Sequence, residues 1–351
     1  MFQTIETPSV LVDLDIAERN IGRFQAHCDR NGIALRPHIK THKLPQLARA
    51  QVEAGAVGIT CQKIGEAEVM ADAGLDDILV TYNIVGEAKR ARLAALARKT
   101  RLSVVADNPV VVDGLSTTFA QLGSPLDVLI ECDTGAGRCG VQTPGDALAL
   151  ARRIESAPGL VLAGLMTYPP MGDQAVVERW LGEAKAALVS AGLACPRVSS
   201  GGTPNMWRCQ DVPSATEHRA GTYVYNDRSL VAAGVCTEAD CALTVLATVV
   251  SRPTGTRAII DAGSKVLTSD LLGLEGFGLV AGRPGAALAA LSEEHGIIDL
   301  TASPWRPAVG ERLRIIPNHA CVVSNMVDAV WTLRDGALAG QWPVAARGRV
   351  T

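Results

Sequence analysis

The chain is short of aromatic residues: five Trp, four Tyr and four Phe make up 4% of its 351 residues. With so few, no aromatic cage can be read off, and nothing aromatic announces what a bound molecule looks like. No apolar run approaches the roughly 20 residues needed to span a bilayer, which excludes a membrane helix. A basic excess is missing too, since 33 Lys and Arg stand against 36 Asp and Glu for a net charge of -3. The basic residues are spread out, so nucleic acid is not an expected partner. The opening residues, MFQTIETPSV, lack the basic and apolar regions of a signal peptide, and a cytoplasmic location is expected. The nine cysteines are odd in number, scattered and without a CxxC pair. In the cytosol most of them are expected to be reduced and buried as small hydrophobes. Internal repeats and low-complexity segments are absent.

What remains is an ordinary globular composition, 48% hydrophobic and 20% charged, long enough for a large domain and a smaller one. From residue 8 to about 200, short apolar strands alternate with amphipathic stretches rich in Ala, Leu, Glu, Lys and Arg. The first predicted strand is Ser9–Asp13 and the eighth is Arg197–Ser200, with seven helical crossovers between them. Strict repetition of this unit predicts a parallel (β/α)8 TIM-like barrel over a doubly wound sheet. After about residue 235 the pattern changes to Val-, Ile- and Thr-rich strands separated by Pro and Gly. Strands are expected over 242–251, 257–261, 311–316 and 344–349, with few long helices. The domains are therefore read as a barrel over 8–234 and a β-rich domain over 235–351 joined by residues 1–7.

Three segments carry chemistry. In Arg36-Pro37-His38-Ile39-Lys40-Thr41-His42-Lys43, two lysines and two histidines follow a predicted buried strand, badly placed for a core. A lysine at a barrel strand end is poised to form a Schiff base, because burial favours its neutral amine; a solvated basic turn is the bland alternative. Ser200-Gly201-Gly202-Thr203 offers backbone N–H groups and hydroxyls after the last predicted barrel strand, where barrels bind phosphate. Gly221, Thr222 and Tyr223 could complete that cup. In Pro317-Asn318-His319-Ala320-Cys321, residues two apart on a strand share a face, so His319 and Cys321 could aim an imidazole and a thiol at one metal. Such a pair favours zinc over magnesium or calcium. By chemistry alone, Lys265 in Asp261-Ala262-Gly263-Ser264-Lys265 is a rival Schiff-base lysine, though it lies outside the barrel.

Together, TPSVLVDLD, RPHIKTHK, TGAGRCGV, SSGGTP, RAGTYVYND, DAGSK and PNHAC resemble the D-threonine aldolase/D-serine dehydratase family. These are alanine-racemase-like, fold-type III pyridoxal-phosphate enzymes, and the resemblance covers nearly the whole chain. It implies that Lys40 carries pyridoxal 5'-phosphate, that Arg138 bonds the cofactor's phenolic oxygen, and that Gln62 and Tyr168 line its ring. Ser200, Gly201, Gly202, Thr203, Gly221 and Thr222 would hold the phosphate, with Tyr223 nearby. His319 and Cys321 would bind a divalent metal: zinc, or else manganese or magnesium. The implied substrate is a small D-β-hydroxy amino acid, cleaved either to glycine and an aldehyde or to a keto acid and ammonia. Cys321 resembles the dehydratase branch. Many relatives carry a histidine shortly after the tyrosine matching Tyr168, and residues 169–174 here contain none. His42 or a metal-bound water is then the expected general base, and aldol cleavage is the preferred reading. A homodimer is implied by resemblance alone. An amino-acid racemase would not need PNHAC, and a single-barrel pyridoxal-phosphate carrier would lack the β-rich domain.

Overall fold

The computed structural model describes residues 2–351. Two compact units divide the chain, one comprising 23–40, 45–221 and 349–351, the other the residues up to Gly22, Thr41–Leu44 and Thr222–Gly348. Two of the five peptide bonds at which the chain passes from one unit to the other, Lys40–Thr41 and Gly221–Thr222, lie next to predicted site residues.

The first unit is the barrel. Its eight parallel strands are Ala34–Leu35, Ile59–Cys61, Asp77–Asn83, Arg101–Ala106, Leu126–Cys132, Leu160–Thr167, Arg197–Ser200 and Glu217–His218. Each pairs with the next, and Ala34–Leu35 pairs with Glu217–His218. A parallel bridge from His38 to Thr60 joins the first strand to the second and closes the circuit. Apolar side chains from four neighbouring strands (Leu79, Val105, Leu129, Ala163 and Met166) form one buried cluster, as expected of strands covered on both faces. Helix starts follow from sequence: Asn108 caps Pro109–Phe119, and Thr143 with Asp146 makes a capping box before Pro144–Ser156. Gly164 has to be glycine, because a Cβ there would meet the Arg197 carbonyl oxygen at 1.8 Å.

The second unit is built on a nine-stranded sheet. Leu243–Thr254 pairs on its two sides with Arg257–Ile260 and Arg312–Pro317. Gly296–Asp299, Ala287–Leu291 and Gly278–Val280 link those two strands, so six strands close on themselves. Ser9–Asp13 extends the sheet beside Leu243–Thr254, followed by Ala329–Arg334 and Ala337–Pro343.

Three strand expectations are corrected. Ser9–Asp13 is not a barrel strand, because its apolar residues pair with Leu243–Thr254 in the β unit. The eighth barrel strand is Glu217–His218, two polar residues with no apolar signature, whose Glu217 is buried against Arg36 and Ser199. Ser200–Thr203 consequently follows the seventh barrel strand. Residues 344–349 form turns and not a strand.

Candidate active site

In the barrel unit, Lys40 lies in a short 3-10 turn, Ile39–Thr41, just past the first strand. It is partly buried, and its Nζ is 3.5 Å from Gln62 Oε1. Gln62 is locked in place: its Nε2 donates to the Thr81 carbonyl at 2.7 Å and its backbone N–H to Glu66 at 2.8 Å. His38 Nε2 lies 3.2 Å from the same Gln62 oxygen. Strand ends one and two thus set a lysine amine beside a fixed amide. Further round the barrel, the Arg138 guanidinium stands 4.8 Å over the Tyr168 ring. Arg138 also lies 3.9 Å from Glu131, a buried carboxyl that desolvation pushes up to about 7 against the pull of that arginine. The loop carrying Arg138 is tied down by Asp133, which accepts the N–H groups of Gly135 and Gly137.

The Ser200–Thr203 turn is a cradle that side chains would fill. Gly201 has φ +127°, and a Cβ there would lie 2.7 Å from the Arg219 nitrogen. Such a conformation favours glycine. At Gly202 a Cβ would stand 3.2 Å from the Tyr168 ring. Gly202 precedes the 3-10 segment Thr203–Asp211 with no side-chain cap, which leaves backbone donors for an anion. Thr203 Oγ1 accepts the Gly221 N–H at 3.2 Å, joining two parts of the predicted cup. A half-buried amine, an arginine stacked on a ring and a side-chain-free turn suit a pyridoxal phosphate.

In the β unit, Cys321 Sγ lies 3.2 Å from Thr41 Oγ1 and 3.5 Å from Thr222 Oγ1. His319 and Cys321 are close enough to shift each other's titration, and His319 Nδ1 is 2.8 Å from Asp270 Oδ2. Burial works against both charges. Even so, Cys321 and Asp270 raise the imidazole to about 9, and His319 with the two hydroxyls lowers the thiol. The pair comes together by a route different from the expected strand: His319 caps the short helix Ala320–Met326 and Cys321 sits in its first turn. Among the described residues no group of three or more His, Cys, Asp or Glu is gathered for a metal. The donors present are one imidazole and one thiol, with Asp270 on the imidazole's other nitrogen as ligating histidines usually have. These residues fit a soft-to-borderline divalent ion that keeps open positions.

The remaining predicted residues lie as follows. His42 is fully buried, its Nδ1 accepts the Leu44 N–H at 3.1 Å, and its ring meets Tyr225 edge-on. Thr222 and Tyr223 share a 3-10 turn, with Tyr223 buried. Lys265 has a side chain 62% exposed and paired with Glu294 at 2.6 Å, an ion pair that keeps its proton on. Sequence reasoning missed Glu131, Asp270 and Thr41. Asp270 stands 49 residues before its partner, and no spacing pattern announces such a pair.

A model of the alanine racemase N-terminal domain matches residues 12–229, and one of a putative serine dehydratase domain matches 242–333. The chain is 36% identical to D-threonine aldolase of an Arthrobacter species, over 98% of this chain and 93% of the other. It is 35% identical to D-threo-3-hydroxyaspartate dehydratase of Delftia sp. strain HT23, over 97% of each. The fold superposes on D-threonine aldolase from Filomicrobium marinum with a TM-score of 0.92 at 33% identity, covering 99% and 97% of the two chains. Alanine racemase from Bacillus anthracis shares the fold at a TM-score of 0.72 and 17% identity. The chain belongs to the D-threonine aldolase/D-serine dehydratase family of alanine-racemase-like, fold-type III enzymes. Enzymes of this family are pyridoxal-phosphate-dependent lyases of D-β-hydroxy amino acids, and so is this one. Among its described residues no helix is long and apolar enough to cross a membrane.

Proposed function

We propose that this enzyme cleaves D-β-hydroxy amino acids by a retro-aldol reaction to glycine and an aldehyde, using a divalent metal as well as pyridoxal phosphate. The observation that carries the metal requirement is the His319–Cys321 pair, oriented by Asp270 at 2.8 Å. A racemase has no use for such a pair. The preference for aldol cleavage rests on the full-length likeness to D-threonine aldolases in sequence and structure. Dehydration to a keto acid and ammonia is the second reading, favoured by the equally extensive likeness to the Delftia enzyme. A variant of a D-threo-3-hydroxyaspartate dehydratase has been solved in a metal-free form.

When bound, the cofactor supplies an electron sink for bond breaking at the substrate Cα, and the metal a Lewis acid for the β-hydroxyl. In this reading the chain's residues act as follows. Lys40 would hold the cofactor, with Gln62 fixing the position of its amine. Arg138, steadied by Tyr168, would donate to the phenolic oxygen. Ser200, Gly201, Gly202, Thr203, Gly221 and Thr222 would hold the phosphate, with the buried Tyr223 nearby. His319 and Cys321 would hold the metal, zinc by donor chemistry. His42 is the proposed acceptor of the hydroxyl proton, and its Nδ1 accepts the Leu44 N–H. A cytoplasmic homodimer completes the proposal, to be checked by light scattering.

The test incubates the loaded enzyme with D-threonine and with D-serine, before and after dialysis against a chelator. Acetaldehyde with glycine from D-threonine, lost on dialysis and restored by zinc or manganese, is the expected result. Pyruvate from D-serine without any aldehyde from D-threonine would sink the aldolase reading. Indifference to the chelator would sink the metal.

A further inference from the structure

Tyr225 is fully buried, and among the described residues no group donates to its hydroxyl or accepts from it. Its backbone is engaged on both sides: the N–H donates to the Thr222 carbonyl at 3.0 Å, and the carbonyl accepts the Ala242 N–H at 2.7 Å. The orphan is therefore the phenol oxygen alone. An enclosed hydroxyl without a partner is costly, and a phenylalanine would fill the same space without that cost. Buried polar atoms in folded proteins find partners, and the exceptions sit where a ligand, an ion or water supplies one.

The phenol is flanked by the residues that reach Cys321. Residues 222–228 run along residues 318–321. Thr222 Oγ1 is 3.5 Å from Cys321 Sγ, Asp227 Oδ2 accepts the Ala320 N–H at 3.1 Å, and Arg228 donates to Asn318 Oδ1 at 3.0 Å. Tyr225 stands between the first two of these contacts. Its N–H closes the 3-10 turn that begins at Thr222. Side chains three apart in such a turn eclipse one another, so the phenol leaves from the side on which Thr222 meets the sulfur. The ring also meets His42 edge-on, with centroids 6.3 Å apart. The residue before His42 is Thr41, whose Oγ1 lies 3.2 Å from the same sulfur. Both neighbours of the phenol thus lead to Cys321, and all of these residues belong to the β unit.

His319 and Cys321 offer two donors, whereas a tetrahedral ion takes four. Small oxygen ligands fill such remaining positions, and a hydroxyl, which both donates and accepts, is suited to hold one of them in direction. We propose that Tyr225 is a positioning residue for the divalent ion, its hydroxyl reserved to hydrogen-bond an oxygen ligand that completes the coordination set by His319 and Cys321. This rests on the reading that the pair binds a divalent metal.

The experiment uses the full chain loaded with pyridoxal phosphate and measures zinc dissociation constants by competition with a chromophoric chelator. Cobalt(II) then replaces zinc, so that its visible bands report the coordination. Tyr225→Phe removes one oxygen and keeps the ring against His42. It should weaken zinc about tenfold, the scale of groups that support a metal's ligands, and shift the cobalt bands while cofactor absorbance is unchanged. A tyrosine that only fills space predicts the reverse: Tyr225→Phe gains thermal stability with or without zinc, at unchanged zinc affinity and with unchanged cobalt bands. That result would overturn the proposal. If Tyr225→Phe does not fold, Tyr225→Met takes its place under the same criteria. Cys321→Ala separates the two levels. If the wild type takes up no zinc, or Cys321→Ala takes up as much, the metal reading fails and the role of Tyr225 falls with it. If Cys321→Ala loses zinc and Tyr225→Phe binds it like the wild type, only the role of Tyr225 fails.

Discussion

The barrel unit and the β unit assemble their functional groups by different means. In the barrel, each side chain is delivered by the end of its own strand. Lys40 follows the first strand, Gln62 the second, Arg138 the fifth and Gly201 the seventh. Parallel strands and short loops fix their direction before any side chain packs. In the β unit, the His319–Cys321 pair stands at the start of a seven-residue helix, and its order comes from neighbours distant in sequence. Thr41 and Thr222 reach the thiol and Asp270 reaches the imidazole. The barrel's strand-end groups are robust because backbone topology places them. The thiol–imidazole pair depends on a few side-chain bonds, any of which can be cut singly.

The sharpest way to break the comparison is at its strongest point. Lys40→Ala should abolish the visible absorbance of the lysine-bound cofactor and all lyase activity, while circular dichroism stays unchanged. Surviving absorbance would show that another amine, Lys265 foremost, carries the cofactor. The exposure of Lys265 and its ion pair with Glu294 argue against that outcome.

The β unit should respond in steps where the barrel responds all at once. His319→Ala and Cys321→Ala should each remove the metal, read as zinc per chain by atomic absorption, with cofactor absorbance retained. Asp270→Asn should be milder. It keeps a partner on His319 Nδ1 but loses the carboxylate, and support of this kind is worth roughly 10- to 100-fold in metal affinity. An Asp270→Asn variant with wild-type zinc affinity would mean that His319 is held by its helix position alone, and the contrast between the units would shrink.

The same contrast explains what the sequence shows. A (β/α)8 reading survives inspection of 34–200 because seven of the eight strands carry apolar runs bounded by helical stretches. It fails at the ends, where Ser9–Asp13 looks the same but pairs with Leu243–Thr254. Glu217–His218 is invisible because it is two residues long and both are polar, Glu217 being held by Arg36 and Ser199. Lys40 and Ser200–Thr203 are legible because their chemistry is local. His319 and Cys321 are picked out on the wrong geometry, a shared strand face, and still prove to be neighbours, since a helix cap and the residue two further on can converge as well. Asp270, Thr41 and Glu131 owe their positions to folding across long stretches of chain, and composition cannot encode that.

The smallest expected effect probes whether the barrel's strand-end groups are as indifferent to their side-chain surroundings as the topology suggests. Glu131 is 4% exposed, and burial lifts its carboxyl to about 7, with Asp107 and Asp133 adding to the shift and Arg138 and Arg219 opposing it. Its ordinary value is 4.5, so between those two values the folded chain holds a proton that the unfolded chain has released. Folding stability must then fall as pH rises through that window and level off above about 7. The full span corresponds to roughly 3 kcal/mol, an upper bound since the solvent around a partly open barrel end relaxes part of it. Glu131→Gln, which cannot ionise, should flatten this slope and leave the variant more stable than the wild type at pH 8. Urea titrations at pH 5, 6, 7 and 8 measure it. Parallel curves for both proteins would mean that Arg138 neutralises Glu131 throughout, making that ion pair as stiff a part of the site as the strand ends themselves.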